Sequence, residues 1–194
     1  MTLASKITVG RLFLVPVFVV FAVYYGLSVA AGEPEEVFRW WAVGIFILAA
    51  ASDGLDGWIA RRFNQRSSFG AKLDPVADKV LLLAGLVTLA LVDWGEGNWR
   101  VPGWFLALAV ARDVMILGGI AVLHFTKGFV PIRPHWSGKV CTFTQMVLLG
   151  WVMLKWIDFS PLWPTIFATV FTIWSGVAYF LEGLSQLKAE KHEK

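Results

Sequence analysis

Long apolar runs, each close to twenty residues and separated by short charged segments, leave the lipid bilayer as the natural solvent for this chain. They read as six spans, at roughly 9–29, 38–59, 73–91, 102–124, 139–156 and 162–184, each long enough to cross about 30 Å of hydrocarbon. Residues 1–7 read as a short interfacial lead-in, and the tail beyond 184 as a short helical extension. The expected fold is all-α, a six-transmembrane-helix bundle forming a single domain over residues 1–194. Composition agrees: 57% of the residues are hydrophobic and 15% aromatic. A soluble chain of this size has too much surface for its volume to bury so much apolar area.

Charge sets the expected orientation. The net charge of +3 and a pI near 9.1 would suit a nucleic-acid partner, but the cations flank apolar runs, so no nucleic acid is expected. One set of connections holds Lys6, Arg11, Arg61, Arg62, Arg66, Lys72, Lys127, Arg133, Lys139, Lys188, Lys191 and Lys194. The other holds Arg39, Arg100 and Lys155 among the acids Glu33, Glu35, Glu36, Asp93, Glu96 and Asp158. Cytoplasmic loops carry the excess of Lys and Arg, which puts both termini and the 61–72 and 127–139 loops in the cytoplasm. Six crossings return the chain to its starting side, consistent with that assignment. Trp40, Trp41, Trp94, Trp99, Trp104, Trp156 and Trp163 fall near the opposite ends and read as interfacial anchors. The first run reads as a retained span, since Val29-Ala30-Ala31-Gly32 is a weak cleavage site. A single cysteine, Cys141, excludes an internal disulfide framework and reads as a small apolar residue.

The chemistry lies where the second span ends and the third begins. Asp53 and Asp56 stand three apart, Asp74 and Asp78 four apart, so each pair shares one face of a helix. Carboxylates at that depth cost at least about 2.5–3.5 kcal/mol each and need compensation. Protonation, pairing with Arg or Lys, or divalent cations would all serve. Arg61, Arg62 and Lys79 are the cations nearby in sequence, too few to neutralise the group comfortably. Hard oxygen donors suit two Mg²⁺ or Mn²⁺ ions, with substrate phosphates completing their coordination.

The run Asp53-xx-Asp56-Gly57-xx-Ala60-Arg61-x8-Gly70-xxx-Asp74-xxx-Asp78 looks like the complete signature of the CDP-alcohol phosphotransferase family. The resemblance extends to Thr8-xx-Arg11 with Pro16 and to Gly138-Lys139-xx-Thr142-xx-Gln145-Met146, both similar to its phosphatidylglycerophosphate synthase branch. It implies a bacterial inner-membrane enzyme, usually a homodimer, with its active site open to the cytoplasm. The implied reaction moves a phosphatidyl group from CDP-diacylglycerol to an alcohol and releases CMP. By the same resemblance, Asp53, Asp56, Asp74 and Asp78 bind metal and Asp78 is the general base. Asp56, Gly57, Ala60, Arg61 and Gly70 would line the CDP-diacylglycerol site.

For the acceptor, Arg11, Arg112, Arg133 and Lys139, with His135, are candidates to bind a phosphate. Arg112 is the most informative, because it lies inside a span; the alternative for it is a structural pair with Asp113. Several cations favour glycerol 3-phosphate, giving phosphatidylglycerophosphate. The run Arg112-Asp113-Val114-Met115 looks more like the family's cardiolipin synthases, whose acceptor is phosphatidylglycerol, and Gly119-Ile120 stand where the first branch usually has another arginine.

Overall fold

The structure is a computed structural model. It describes the backbone of residues 3–62, 68–95, 97, 99–127, 136–155 and 159–189, and the side chains of 9–52, 77–95, 97, 99–122, 125, 136–155 and 159–185. Among the described residues every regular element is an α-helix: α1 Leu3–Ala30, α2 Glu36–Arg62, α3 Ser68–Leu91, α4 Gly103–Lys127, α5 Trp136–Leu154 and α6 Leu162–Ala189. Four helices contain stretches long and apolar enough to cross a membrane, Val9–Ala30, Gly103–Val122, Trp136–Leu154 and Leu162–Ser185. In α2 and α3 the described side chains stop at Ser52 and start at Ala77.

Two expectations shift. The expected lead-in at residues 1–7 is not a separate segment, because from Leu3 onward it is one helix with the first span. The expected 61–72 loop is largely helical: Arg61 and Arg62 end α2, and Ser68–Lys72 open α3. Hydropathy marks only the apolar part of a helix, whereas backbone hydrogen bonding carries on through polar turns. Helix α1 stops by a Schellman arrangement. The Gly32 N–H donates to Val29 O and the Glu33 N–H to Ser28 O, with Gly32 at φ +81°.

The chain divides into two compact units, Met1–Arg100 with Leu149–Asp158, and Val101–Leu148 with Phe159–Lys194. In the first unit α1 packs on α2 and α3. Its buried stripe, Arg11, Val15, Phe18, Ala22 and Tyr25, advances by alternating steps of four and three residues. That spacing keeps one seam of a helix facing its neighbours. The Phe18 and Phe46 rings meet across the α1–α2 contact at 5.4 Å. Gly85 on α3 leaves room for Leu149, whose Cδ1 would lie 2.8 Å from an added β-carbon. Trp94 is not an exposed anchor: it is 0% exposed and packs edge-on against Tyr25, 5.1 Å between centroids. Trp40, Trp41, Trp104 and Trp163 are exposed, as interfacial anchors should be.

In the second unit α4 packs on α6. The inward residues of α6 are small and often hydroxylated: Thr165, Ala168, Thr172 and Ser175. Small side chains let helices approach closely where lipid provides no hydrophobic drive between them. Thr165 and Thr172 return their hydroxyls to carbonyls four residues back, at 2.7 and 2.8 Å. Cys141 is buried, its Sγ 3.5 Å from Thr172 Oγ1, in keeping with a packing role.

Candidate active site

The acids arrive on helix rather than loop. Asp53 and Asp56 lie in α2, Asp74 and Asp78 in α3, and Gly57, Ala60, Arg61 and Gly70 belong to the same two helices. The side chains of Asp53, Asp56, Gly57, Ala60, Arg61, Gly70 and Asp74 lie outside the described residues. Asp78 is within them. Its Oδ1 accepts from Arg11 Nη1 at 2.5 Å, a contact spanning 67 positions of sequence. Arg11 is 1% exposed and the Asp78 side chain 39%, so the guanidinium is enclosed while the carboxylate stays reachable.

Arg11, a cation that counting the sequence neighbours Arg61, Arg62 and Lys79 had left out, therefore pairs with Asp78. The signal that could have found it was its place in the α1 stripe. An arginine occupying the same phase as Val15, Phe18, Ala22 and Tyr25 is aimed inward and needs a partner. A charge-assisted N–H···O contact of this kind also fixes where the carboxylate points.

In the second unit Arg112 sits on α4 with its side chain 10% exposed. Its Nη1 donates to Asp113 Oδ1 at 2.7 Å, the pairing that sequence offered as its structural alternative. Its Nη2 donates to Ser175 Oγ at 2.5 Å, and its Cζ lies 5.6 Å from the centre of the Tyr179 ring. Ser175 and Tyr179, both on α6, were not singled out by sequence. For Ser175, its small-residue spacing with Thr165, Ala168 and Thr172 was the available sign. Lys139 is exposed near the start of α5, next to Gly138, whose missing side chain admits Tyr179. Arg133 and His135 lie outside the described residues. Among the described residues no cluster of three or more His, Cys, Asp or Glu side chains assembles.

With this geometry in place, comparison with known proteins is specific. The family model for CDP-alcohol phosphatidyltransferase matches residues 1–178. A protein of Escherichia coli (strain K12), a CDP-diacylglycerol--glycerol-3-phosphate 3-phosphatidyltransferase, is 34% identical over 180 residues, covering 90% of this chain and 91% of the relative. Proteins with the same name from Shigella sonnei and Salmonella typhimurium show the same identity and coverage.

Proposed function

Because this chain belongs to the CDP-alcohol phosphatidyltransferase family, we propose that it is an integral membrane enzyme of phospholipid synthesis. It transfers the phosphatidyl group of CDP-diacylglycerol to glycerol 3-phosphate, giving phosphatidylglycerophosphate and CMP. The observation that carries this choice of acceptor is the near full-length similarity to enzymes named for that reaction.

In the transfer, the acceptor hydroxyl oxygen bonds to the phosphorus that carries the diacylglycerol. The bond from that phosphorus to the CMP oxygen breaks, and Asp78 takes the hydroxyl proton. The contact from Arg11 orients Asp78 for that task. Asp53, Asp56, Asp74 and Asp78 form an oxygen-only donor set that suits Mg²⁺ or Mn²⁺. Two such ions, when bound, would neutralise the diphosphate and stabilise charge at the reacting phosphorus. Asp56, Gly57, Ala60, Arg61 and Gly70 line the CDP-diacylglycerol site in this proposal. Arg112, Lys139, Arg11 and Arg133 serve the acceptor phosphate, Arg11 alongside its contact with Asp78. The proposal includes six membrane crossings, with α2 and α3 as the two beyond the four apolar spans, cytoplasmic termini and active site, and a homodimer.

The test is CMP release from CDP-diacylglycerol with glycerol 3-phosphate, phosphatidylglycerol, inositol and serine offered separately. Glycerol 3-phosphate should be preferred. Preference for phosphatidylglycerol would move the chain to cardiolipin synthesis, and activity with none would sink the transferase assignment.

A further inference from the structure

Arg112 lies within an apolar span, where an unrestrained arginine would extend its head toward water. Here it is held at three points. Asp113 accepts from Nη1, Ser175 Oγ accepts from Nη2, and the guanidinium carbon lies 5.6 Å from the Tyr179 ring centre, within cation–π range. The ring in turn has a seat. A β-carbon on Gly138 would come 2.8 Å from Tyr179 Oη, so glycine there lets the phenol rest against the α5 backbone. Gly176 supplies the matching space on α6, where an added β-carbon would already touch Arg112 Cγ at 3.6 Å and Met115 Cε at 3.4 Å.

These contacts leave binding capacity over. A guanidinium carries five N–H donors. Asp113 and Ser175 use two of them, and the buried Nε has no hydrogen-bond partner among the described residues. A buried donor without an acceptor is unfavourable, so an anionic oxygen reaching this group is favoured. Lys139, the residue after Gly138, is an exposed cation on α5.

We propose that Ser175 and Tyr179 are positioning residues that set acceptor specificity: they fix the plane and direction of Arg112 so that it receives a phosphate monoester. The inference rests on the proposed use of glycerol 3-phosphate and assigns it two determinants on α6. A site whose buried donors await a phosphate discriminates against acceptors lacking one, because those leave the donors unpaired. Asp113 holds the guanidinium at Nη1 and the Ser175 hydroxyl at Nη2, while the Tyr179 ring stands 5.6 Å from its carbon.

The experiment uses the full chain in lipid–detergent micelles, varying glycerol 3-phosphate at saturating CDP-diacylglycerol and the reverse. Ser175→Ala and Tyr179→Leu should raise the KM for glycerol 3-phosphate about five- to tenfold, the usual scale for one lost hydrogen bond or cation–π contact. Inhibition by inorganic phosphate should weaken by the same factor, while kcat and the KM for CDP-diacylglycerol change less than about twofold. Ser175→Thr keeps the hydroxyl and Tyr179→Phe the ring, and these should recover the lost affinity. An unchanged glycerol 3-phosphate KM in the first two variants would overturn the inference. So would a fall in kcat that tracks lost thermal stability with no selective change in the glycerol 3-phosphate KM, which marks a purely structural role. If the unmodified enzyme releases no CMP with glycerol 3-phosphate, the proposed function itself fails.

Discussion

A β-carbon at Gly26 would stand 1.6 Å from Val92 Cγ1 and 3.2 Å from the backbone oxygen of Asp93. Valine can turn aside only by disturbing its own packing, and the backbone oxygen cannot. Gly26→Ala should therefore destabilise the first unit by about 1–3 kcal/mol, the usual cost of overpacking, read as a lower unfolding temperature in detergent. Gly10→Ala, where an added β-carbon meets nothing within 4 Å, is the control. Asp78 calls for a different substitution. Asp78→Asn keeps an oxygen to accept from Arg11 but removes the proton acceptor. CMP release should fall at least a hundredfold, the usual scale for a general base, while nucleotide binding measured by calorimetry is largely retained. Robust turnover in that variant would remove Asp78 from the base role. The helices that carry the four aspartates were legible because apolar runs and local spacing encode them. The Arg11 contact was not, since nothing near position 78 announces a partner 67 residues away.

At the scale of elements, the end of α5 is held by side chains from elsewhere in its unit. Arg39 Nη1 donates to Leu154 O at 3.1 Å and Trp99 Nε1 to Val152 O at 3.0 Å. The last carbonyls of a helix have no partner of their own and favour cationic donors. Lys155 follows at φ +49°, a left-handed turn, and its Nζ donates to the buried Tyr25 Oη at 2.6 Å. Arg39→Ala should lower stability by about 1–2 kcal/mol in thermal melts, and Arg39→Lys should restore part of it. Apolar runs revealed where these helices lie but not how far they continue. Helix α3 begins at Ser68, because polar turns extend a helix beyond its greasy centre, whereas the run of α6 to Ala189 agrees with the helical extension expected beyond 184. Trp94 misled for a related reason: its place in the sequence suits an interfacial anchor, and only the fold sets Tyr25 against it.

For the whole molecule, the proposed crossing of α2 and α3 fixes which connections share a side of the membrane. In a Cys141→Ala background, Glu35→Cys and Gly97→Cys should react with an impermeant maleimide added to intact cells. Gln65→Cys should react only after disruption. Labelling of Gln65→Cys in intact cells would break the six-crossing topology and its cytoplasmic site. The stripe along α1 carries a further consequence. Arg11 meets Asp78 at one end of that stripe, and Tyr25 meets Lys155 at the other. One helix thus carries two keys cut on the same face. A single residue inserted between Phe18 and Ala22 would turn one key about 100° from the other, so no rotation of the helix could fit both locks.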